Sequence, residues 1–125
     1  MLEIKVCADE NAVKSLYNKE KINFVAGDTA VQAVLGEEVL GYVLFGIKDF
    51  ALTVYRIFPN DDIMFIDGLL RSTLHVGMQR GITKAYYNDE RYVDIFKKLN
   101  FLADENDKEL NLINLYSDCC NCDEK

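Results

Sequence analysis

Three cysteines near the end of the chain have a spacing suited to metal chemistry. Cys119 and Cys120 follow Asp118, and Cys122 comes after Asn121. Thiolates placed two or three residues apart share a soft metal such as zinc. A closed site needs a fourth ligand, from Cys7, Asp118 or the tail of a second copy of the chain. The alternative is an acidic tail with free thiols, because a second paired cysteine motif is absent.

The net charge of the chain favours some classes of binding partner and disfavours others. The chain carries 14 Lys and Arg against 21 Asp and Glu, a net charge of -7. General nucleic-acid binding needs clustered cations, so we expect no nucleic-acid partner. An acidic surface also disfavours docking on anionic membranes. A cationic partner, such as a small amine or a lysine side chain, fits the charge, and an acidic surface that serves only solubility is the alternative.

The distribution of apolar residues predicts the cellular compartment of the protein. The first ten residues show no basic start followed by an apolar run, as a secretory signal would. No stretch approaches the roughly 20 apolar residues that cross a bilayer. We therefore expect a cytoplasmic protein whose cysteines are thiols or metal ligands rather than disulfides.

The hydrophobic periods predict strands and one amphipathic helix in the first half of the chain. A strand over 2–7 precedes a helix that Asp9 or Asn11 caps and that runs to Glu20. Three strands with hairpin spacing follow, over 30–35, 39–47 and 50–58. The sole proline, Pro59, ends the third of them.

The second half alternates helix and strand. Asp61 and Asp62 stand at the start of a helix that Arg80-Gly81 closes, and a strand covers 82–87. A helix from Asn88 or Asp89 to Leu99 follows, with Asn100 where glycine usually ends such a helix, and a last strand covers 109–116. This order predicts an α/β fold in one domain, 1–116, with a cysteine-rich tail, 117–125. Its mixed sheet is antiparallel at the start, its fourth and fifth strands are parallel, and helices cover both faces.

Four short stretches resemble, in order and spacing, those of one enzyme superfamily. They are GYV at 41–43, DGLLRSTL at 67–74, RGI at 80–82 and DERYVDIFKKLNF at 89–101. Over about residues 20–116 the chain resembles the GNAT superfamily of N-acetyltransferases. The resemblance implies transfer of an acyl group from acetyl-CoA, or another acyl-CoA, to an amine. It also implies a homodimer, because members of the superfamily commonly dimerise.

The resemblance implies a binding site for acyl-CoA with two parts. The fourth and fifth strands splay, and the exposed backbone between them pairs with the pantetheine arm. The loop before the long helix directs N–H groups at the pyrophosphate. The cofactor-binding residues implied in this way are Tyr55, Ile57, Phe58, Ile66, Asp67, Gly68, Leu69, Leu70, Arg71 and Asn88.

Some positions depart from the superfamily pattern. In the phosphate loop Phe65 replaces a polar residue and Leu70 a small one, while Asp61, Asp62 and Asp67 add negative charge. Each carboxylate close to a phosphate costs on the order of 1 kcal/mol. These departures motivate a second hypothesis from another class: a GNAT scaffold without catalysis that serves as a binding or regulatory module, with metal held by its cysteine tail.

The residues for proton transfer also differ. Phe96 aligns with the tyrosine that protonates the leaving thiolate in many members of the superfamily. Tyr92, one turn earlier, and Tyr87, on the preceding strand, are the candidate catalytic residues, because a phenol need only reach the sulfur. The strand over 50–58 carries no acid that would act as a general base, and the only histidine, His75, falls within the long helix.

Overall fold

The computed structural model describes residues 2–102 and 108–112. Within these ranges the chain forms five strands, three α-helices and one 3-10 turn. In chain order they are β1 (Leu2–Val6), α1 (Glu10–Lys19), β2 (Asp28–Leu35), β3 (Glu38–Lys48), β4 (Ala51–Phe58), α2 (Ile63–Gln79), β5 (Lys84–Tyr87), the 3-10 turn (Glu90–Tyr92) and α3 (Val93–Lys98). No helix in the described ranges has the length and apolar character needed to cross a membrane.

The strands form one mixed sheet in the order β1-β2-β3-β4-β5. The pairs β1–β2, β2–β3 and β3–β4 are antiparallel, whereas β4 and β5 are parallel. The short connections on either side of β3 allow only antiparallel neighbours, and the crossover through α2 returns the chain in the direction of β4. The predicted α/β class and strand directions are confirmed.

Helices cover both faces of this sheet, because alternate residues of the strands face opposite ways. In β3, Val43 and Phe45 belong to the larger core cluster, together with residues of α2 and α3. Their neighbours Tyr42 and Leu44 belong to a second cluster, with Val13 and Tyr17 of α1. We call these the α2 face and the α1 face of the sheet.

Local signals in the sequence set most boundaries of the elements. The carboxylates of Asp9 and Asp62 cap α1 and α2 by accepting hydrogen bonds from backbone N–H groups. Gly81 follows the end of α2 with φ +82°, and Asn100 takes a φ of +66° after α3. Asparagine tolerates this left-handed conformation, so it replaces the usual glycine.

The last predicted helix differs from the structure in its first turn. The sequence predicts one helix from Asn88 or Asp89, whereas the chain forms a 3-10 turn and then a six-residue helix. The Asp89 carboxylate accepts a hydrogen bond from the N–H of Arg91, and such tight turns are common at helix starts. Likewise β5 begins at Lys84 rather than at Ile82, because the Ile82 N–H is bonded to Gly77 at the end of α2.

Part of the predicted last strand is present. Glu109 forms an antiparallel bridge with Tyr86, and the Leu110 N–H donates to the carbonyl of Ala85 at 2.7 Å. Residues 110–112 are not assigned to a strand. Residues 113–116 of the predicted strand, most of the hairpin before it, and the tail 117–125 with its candidate zinc ligands Cys119, Cys120 and Cys122 lie outside the described residues.

Candidate functional site

The two parallel strands separate halfway along β4. Their ladder pairs residues 51–54 with 84–87 and ends at Val54 and Tyr87. Beyond it, β4 continues for four residues, 55–58, while the chain after β5 enters the 3-10 turn. A bulge in β4 lies at this point, since Phe45 pairs with Val54 and Leu44 pairs with Arg56. Tyr55 is therefore an extra residue, and such bulges re-aim the side chains that follow.

The hydroxyl group of Tyr92 closes the opening from the α2 face. It accepts a hydrogen bond from the N–H of Ile57 and donates one to the carbonyl of the same residue, both at 2.9 Å. Tyr92 and Ile57 are both buried. Burial raises the pKa of the Tyr92 phenol, so the hydroxyl stays protonated at neutral pH.

A cavity of about 760 Å³ lies on the α1 face of the same opening. Its lining comes from β4, from the segment after β5, from the loop after α1 and from the residue before Glu109. The lining residues are Ile22, Tyr55, Arg56, Asn88, Asp89, Glu90, Arg91 and Lys108. A cavity of this size suits a small molecule.

Two carboxylates flank Arg56 and already have closer partners. Glu20 accepts a hydrogen bond from the hydroxyl of Tyr42, and Asp89 accepts three from the side chain of Arg91 at 2.7 to 3.1 Å. The bonds from Arg91 hold the pKa of the Asp89 carboxyl below its usual value. Asp89 is therefore ionised at neutral pH and is a poor acceptor of protons.

A second polar contact fixes the bulged residue. The hydroxyl of Tyr55 donates to one oxygen of Asp28 at 2.9 Å, and the other oxygen accepts the N–H of Val25 at 3.0 Å. Burial, followed by this hydrogen bond, raises the pKa of Tyr55 to about 12. A Cβ at Gly46 would lie 2.3 Å from the Tyr55 hydroxyl, so this contact requires glycine there.

The residues predicted to form the phosphate loop lie inside α2. Ile66, Leu69 and Leu70 are fully buried in the core, and the Ile66 N–H is bonded to the carbonyl of Asp62. Asp67 and Arg71 form an ion pair with each other at 2.9 Å. The backbone N–H groups of a helix that are free to bind an anion are those of its first turn. In α2 these groups lie before the residues predicted to form the phosphate loop.

The two tyrosines predicted as catalytic pack against one phenylalanine. The ring of Tyr87 meets that of Phe96 edge-on at 5.1 Å, and the ring of Tyr92 lies 5.9 Å from it. Phe96 is fully buried. Asn88, another predicted site residue, is exposed on the wall of the cavity, and its N–H bonds to the carbonyl of Val54 at 3.3 Å.

Among the described residues, no three His, Cys, Asp or Glu side chains lie close enough together to hold a metal ion. Cys7 is a free thiol, and His75 is exposed on α2. The described part of the chain therefore offers no candidate metal centre.

The structure adds residues to the site that the sequence did not indicate. Arg56, Glu20 and Asp89 come together from β4, the end of α1 and the 3-10 turn. The one signal in the sequence is Arg56 itself, the only charged residue of β4. A charge in an otherwise uncharged strand needs a partner or a function.

Comparison with solved structures relates this geometry to known proteins. One match is YhhK from Escherichia coli, solved with coenzyme A bound, with a TM-score of 0.63 and 12% identity over 88% of this chain and 98% of that one. Another is a protein from Desulfovibrio desulfuricans assigned to the GNAT family of acetyltransferases, with a TM-score of 0.61 and 12% identity over 83% and 87%.

A third match is the ribosomal-protein-S18-alanine N-acetyltransferase from Escherichia coli, with a TM-score of 0.60 and 11% identity over 87% of this chain and 88% of that one. The sequence itself matches no family model and no curated protein. At these identities the structures establish the fold, in agreement with the resemblance of the motifs. The chain has the fold of the GNAT acetyltransferases.

Proposed function

We propose that the protein is an N-acetyltransferase that moves an acyl group from acetyl-CoA, or another acyl-CoA, to an amine. The observation that carries the proposal is the extension of β4 beyond its ladder with β5, beside a cavity of about 760 Å³. The similarity to structures solved with coenzyme A supports it. The proposal includes a cytoplasmic location and a homodimer.

The edge of β4 suits the pantetheine arm of coenzyme A. An extended chain of amides adds to a free strand edge through backbone hydrogen bonds. We assign this pairing to Tyr55, Ile57 and Phe58 of β4, with Asn88 at the end of the ladder, where its N–H bonds to Val54. The N–H and carbonyl of Ile57 become available only when the Tyr92 hydroxyl moves away.

The start of α2 is the proposed place for the phosphates. The first N–H groups of a helix attract anions, and in α2 these belong to Ile63 and Met64. Asp61 and Asp62 are exposed beside them, and each carboxylate opposes a phosphate by on the order of 1 kcal/mol. We therefore expect the two carboxylates together to lower the affinity for acetyl-CoA by about 30-fold, since 1.4 kcal/mol corresponds to tenfold.

The expected chemistry is direct attack of the uncharged amine on the thioester carbon. A C–N bond forms, the C–S bond breaks, the nitrogen loses a proton and the thiolate gains one. Tyr92 is the first candidate to protonate the thiolate, because burial keeps its hydroxyl in the protonated form. Tyr87, buried on β5, is the second candidate.

A binding module without catalysis is the second candidate function. The observation in its favour is that Tyr92 occupies both backbone groups of Ile57. A ligand that pairs with β4 must first replace these bonds, which reduces its affinity. The comparisons add no support for this candidate.

Calorimetric titration with acetyl-CoA tests the proposal, with adenosine and acetate as control ligands. We expect saturable binding of acetyl-CoA and CoA, and release of free thiol when a reactive amine is added. No heat of binding at millimolar acetyl-CoA would refute the proposal. Binding without thiol release from any of a panel of amines would favour the binding module.

A further inference from the structure

Arg56 forms two long ion pairs, with Glu20 and Asp89, but its Nε makes no hydrogen bond in the described part of the chain. Its Nη1 lies 3.8 Å from a carboxylate oxygen of Glu20, and its Nε lies 3.7 Å from one of Asp89. Both distances exceed the range of a hydrogen bond. The Nε is buried and has no hydrogen-bond partner.

The neighbouring carboxylates do not turn toward Arg56, because each is bound elsewhere. Glu20 holds the hydroxyl of Tyr42, and Asp89 holds the guanidinium of Arg91. A buried donor without a partner destabilises the protein that lacks a ligand. A bound ligand that supplies acceptors would recover this free energy.

Arg56 forms part of the wall of the cavity on the α1 face. A guanidinium presents its N–H donors as a planar fork that matches the two oxygens of a carboxylate. The other cations of the wall are less suited to this role. Arg91 and Lys108 have side chains 56% and 51% exposed and are paired with Asp89 and Glu90.

The same wall carries groups that suit an amine. Asp89 and Glu90 contribute carboxylates, whose present partners Arg91 and Lys108 are exposed, and Asn88 contributes an amide oxygen. These acids also oppose a ligand with two negative charges, such as a phosphate monoester. The cavity therefore combines a guanidinium that is held only by long ion pairs with acceptors for a cation.

We propose that the acceptor substrate is a small amino acid, with its carboxylate bound by Arg56 and its amine facing Asp89, Glu90 and Asn88. This inference rests on the proposed function and names the substrate class of the same site. The cavity and the Tyr92 hydroxyl approach the backbone of β4 from opposite faces of the sheet, so the amino acid and the acyl-CoA reach the opening from different sides.

Acylation assays with paired acceptors test the proposal. Each of the common L-amino acids is compared with its amide, which keeps the amine and lacks the carboxylate, and free thiol from acetyl-CoA is measured. For the preferred amino acid, we expect kcat/KM to exceed that of its amide by about 10-fold to 100-fold, the range for a charge-assisted pair. Equal use of both members of the pair would overturn the proposal.

Arg56→Gln should abolish this preference without changing acetyl-CoA binding. We expect it to lower kcat/KM for the amino acid by a similar factor and to leave the amide within about twofold. Arg56→Lys should retain part of the preference, because it keeps the charge and loses the fork. Arg80→Gln, at an exposed position at the end of α2, is the control. An equal loss for acid and amide would contradict the proposal.

A binding measurement separates this inference from the proposed function. The amino acid alone should raise the melting temperature of the wild-type protein and of Arg80→Gln, but not of Arg56→Gln. Failure of acetyl-CoA to bind would refute the acyltransferase, whereas this shift would still support the amino-acid site. If acetyl-CoA is bound and only amines without a carboxylate are acylated, the amino-acid proposal alone is wrong.

Discussion

The hydroxyl of Tyr92 makes both hydrogen bonds that the backbone of Ile57 offers at the edge of β4, where the sheet opens. A single side chain thereby imitates the pairing of a neighbouring strand. These two hydrogen bonds give the buried backbone groups of Ile57 their partners. They also occupy the groups with which an extended ligand would pair.

Tyr92→Phe should therefore separate stability from affinity. Loss of the hydroxyl leaves the N–H and carbonyl of Ile57 without this partner, and we expect the free energy of unfolding to fall by about 1–3 kcal/mol. Acetyl-CoA should bind more tightly, because it no longer competes with the phenol, while turnover falls if Tyr92 is the proton donor. Urea unfolding, calorimetry and the thiol-release assay measure the three quantities.

Tyr86→Phe is the matched control, since the Tyr86 hydroxyl makes no hydrogen bond within the described residues. Its stability and affinity should stay close to those of the wild type. Weaker binding of acetyl-CoA by Tyr92→Phe would show that the phenol supports the ligand rather than competing with it.

Two glycines of α2 should respond to alanine in opposite ways. A Cβ at Gly68 would meet only Ile4, at 3.8 Å, whereas one at Gly77 would lie 2.9 Å from Cδ1 of the buried Leu52. Gly68→Ala should raise the free energy of unfolding by about 1 kcal/mol through helix propensity. Gly77→Ala should lower it by about 1–3 kcal/mol through overpacking. Equal effects in urea unfolding would contradict this packing.

Gly68→Ala also tests the sequence-based phosphate loop. Because Gly68 lies inside α2, we expect the affinity for acetyl-CoA to change by less than twofold. A clear loss of affinity would instead mean that the phosphates approach Gly68 as the motif implies. Calorimetry on the wild type and this variant distinguishes the two outcomes.

Asp89 should make stability depend on acid pH. Its pKa is lowered in the folded state by Arg91, so the unfolded chain binds the proton more readily. The resulting stabilisation is present above the ordinary aspartate pKa, about 3.9, and is lost as the pH falls through the lower folded value. Urea unfolding of the wild type and Asp89→Asn should differ at pH 7 and converge near pH 2. Asp94→Asn, exposed on α3, is the matched control for the substitution itself.

Tyr55 should make stability depend on alkaline pH with the opposite sign. Its pKa is raised to about 12 in the folded state, so the unfolded chain ionises first as the pH rises. The stabilisation is complete below pH 10 and is lost as the pH rises through 12. The free energy of unfolding of Tyr55→Phe should therefore decline less than that of the wild type over this range. Identical declines would show that Tyr55 is not the group responsible.

Much of the fold was predictable because its signals are local. Hairpin spacing set two antiparallel pairs, β2–β3 and β3–β4, and Asp62 set the start of α2 through its own cap. The phosphate loop was harder to place. The motif suggested a loop at 65–70, whereas the cap and the apolar period put these residues inside the helix. For residues 65–70, the helix cap and the apolar period predicted the structure better than the motif did.

The sequence by itself determined the order of elements, their caps and the left-handed turn at Asn100, since each depends on residues a few positions apart. Only the tertiary structure decided the candidate site. The bulge at Tyr55 turns Arg56 toward Glu20 and Asp89, and the crossover through α2 carries Tyr92 back to Ile57, 35 residues earlier. Contacts between residues so far apart in the sequence depend on how the strands and helices pack. The local periodicity of apolar residues does not predict that packing.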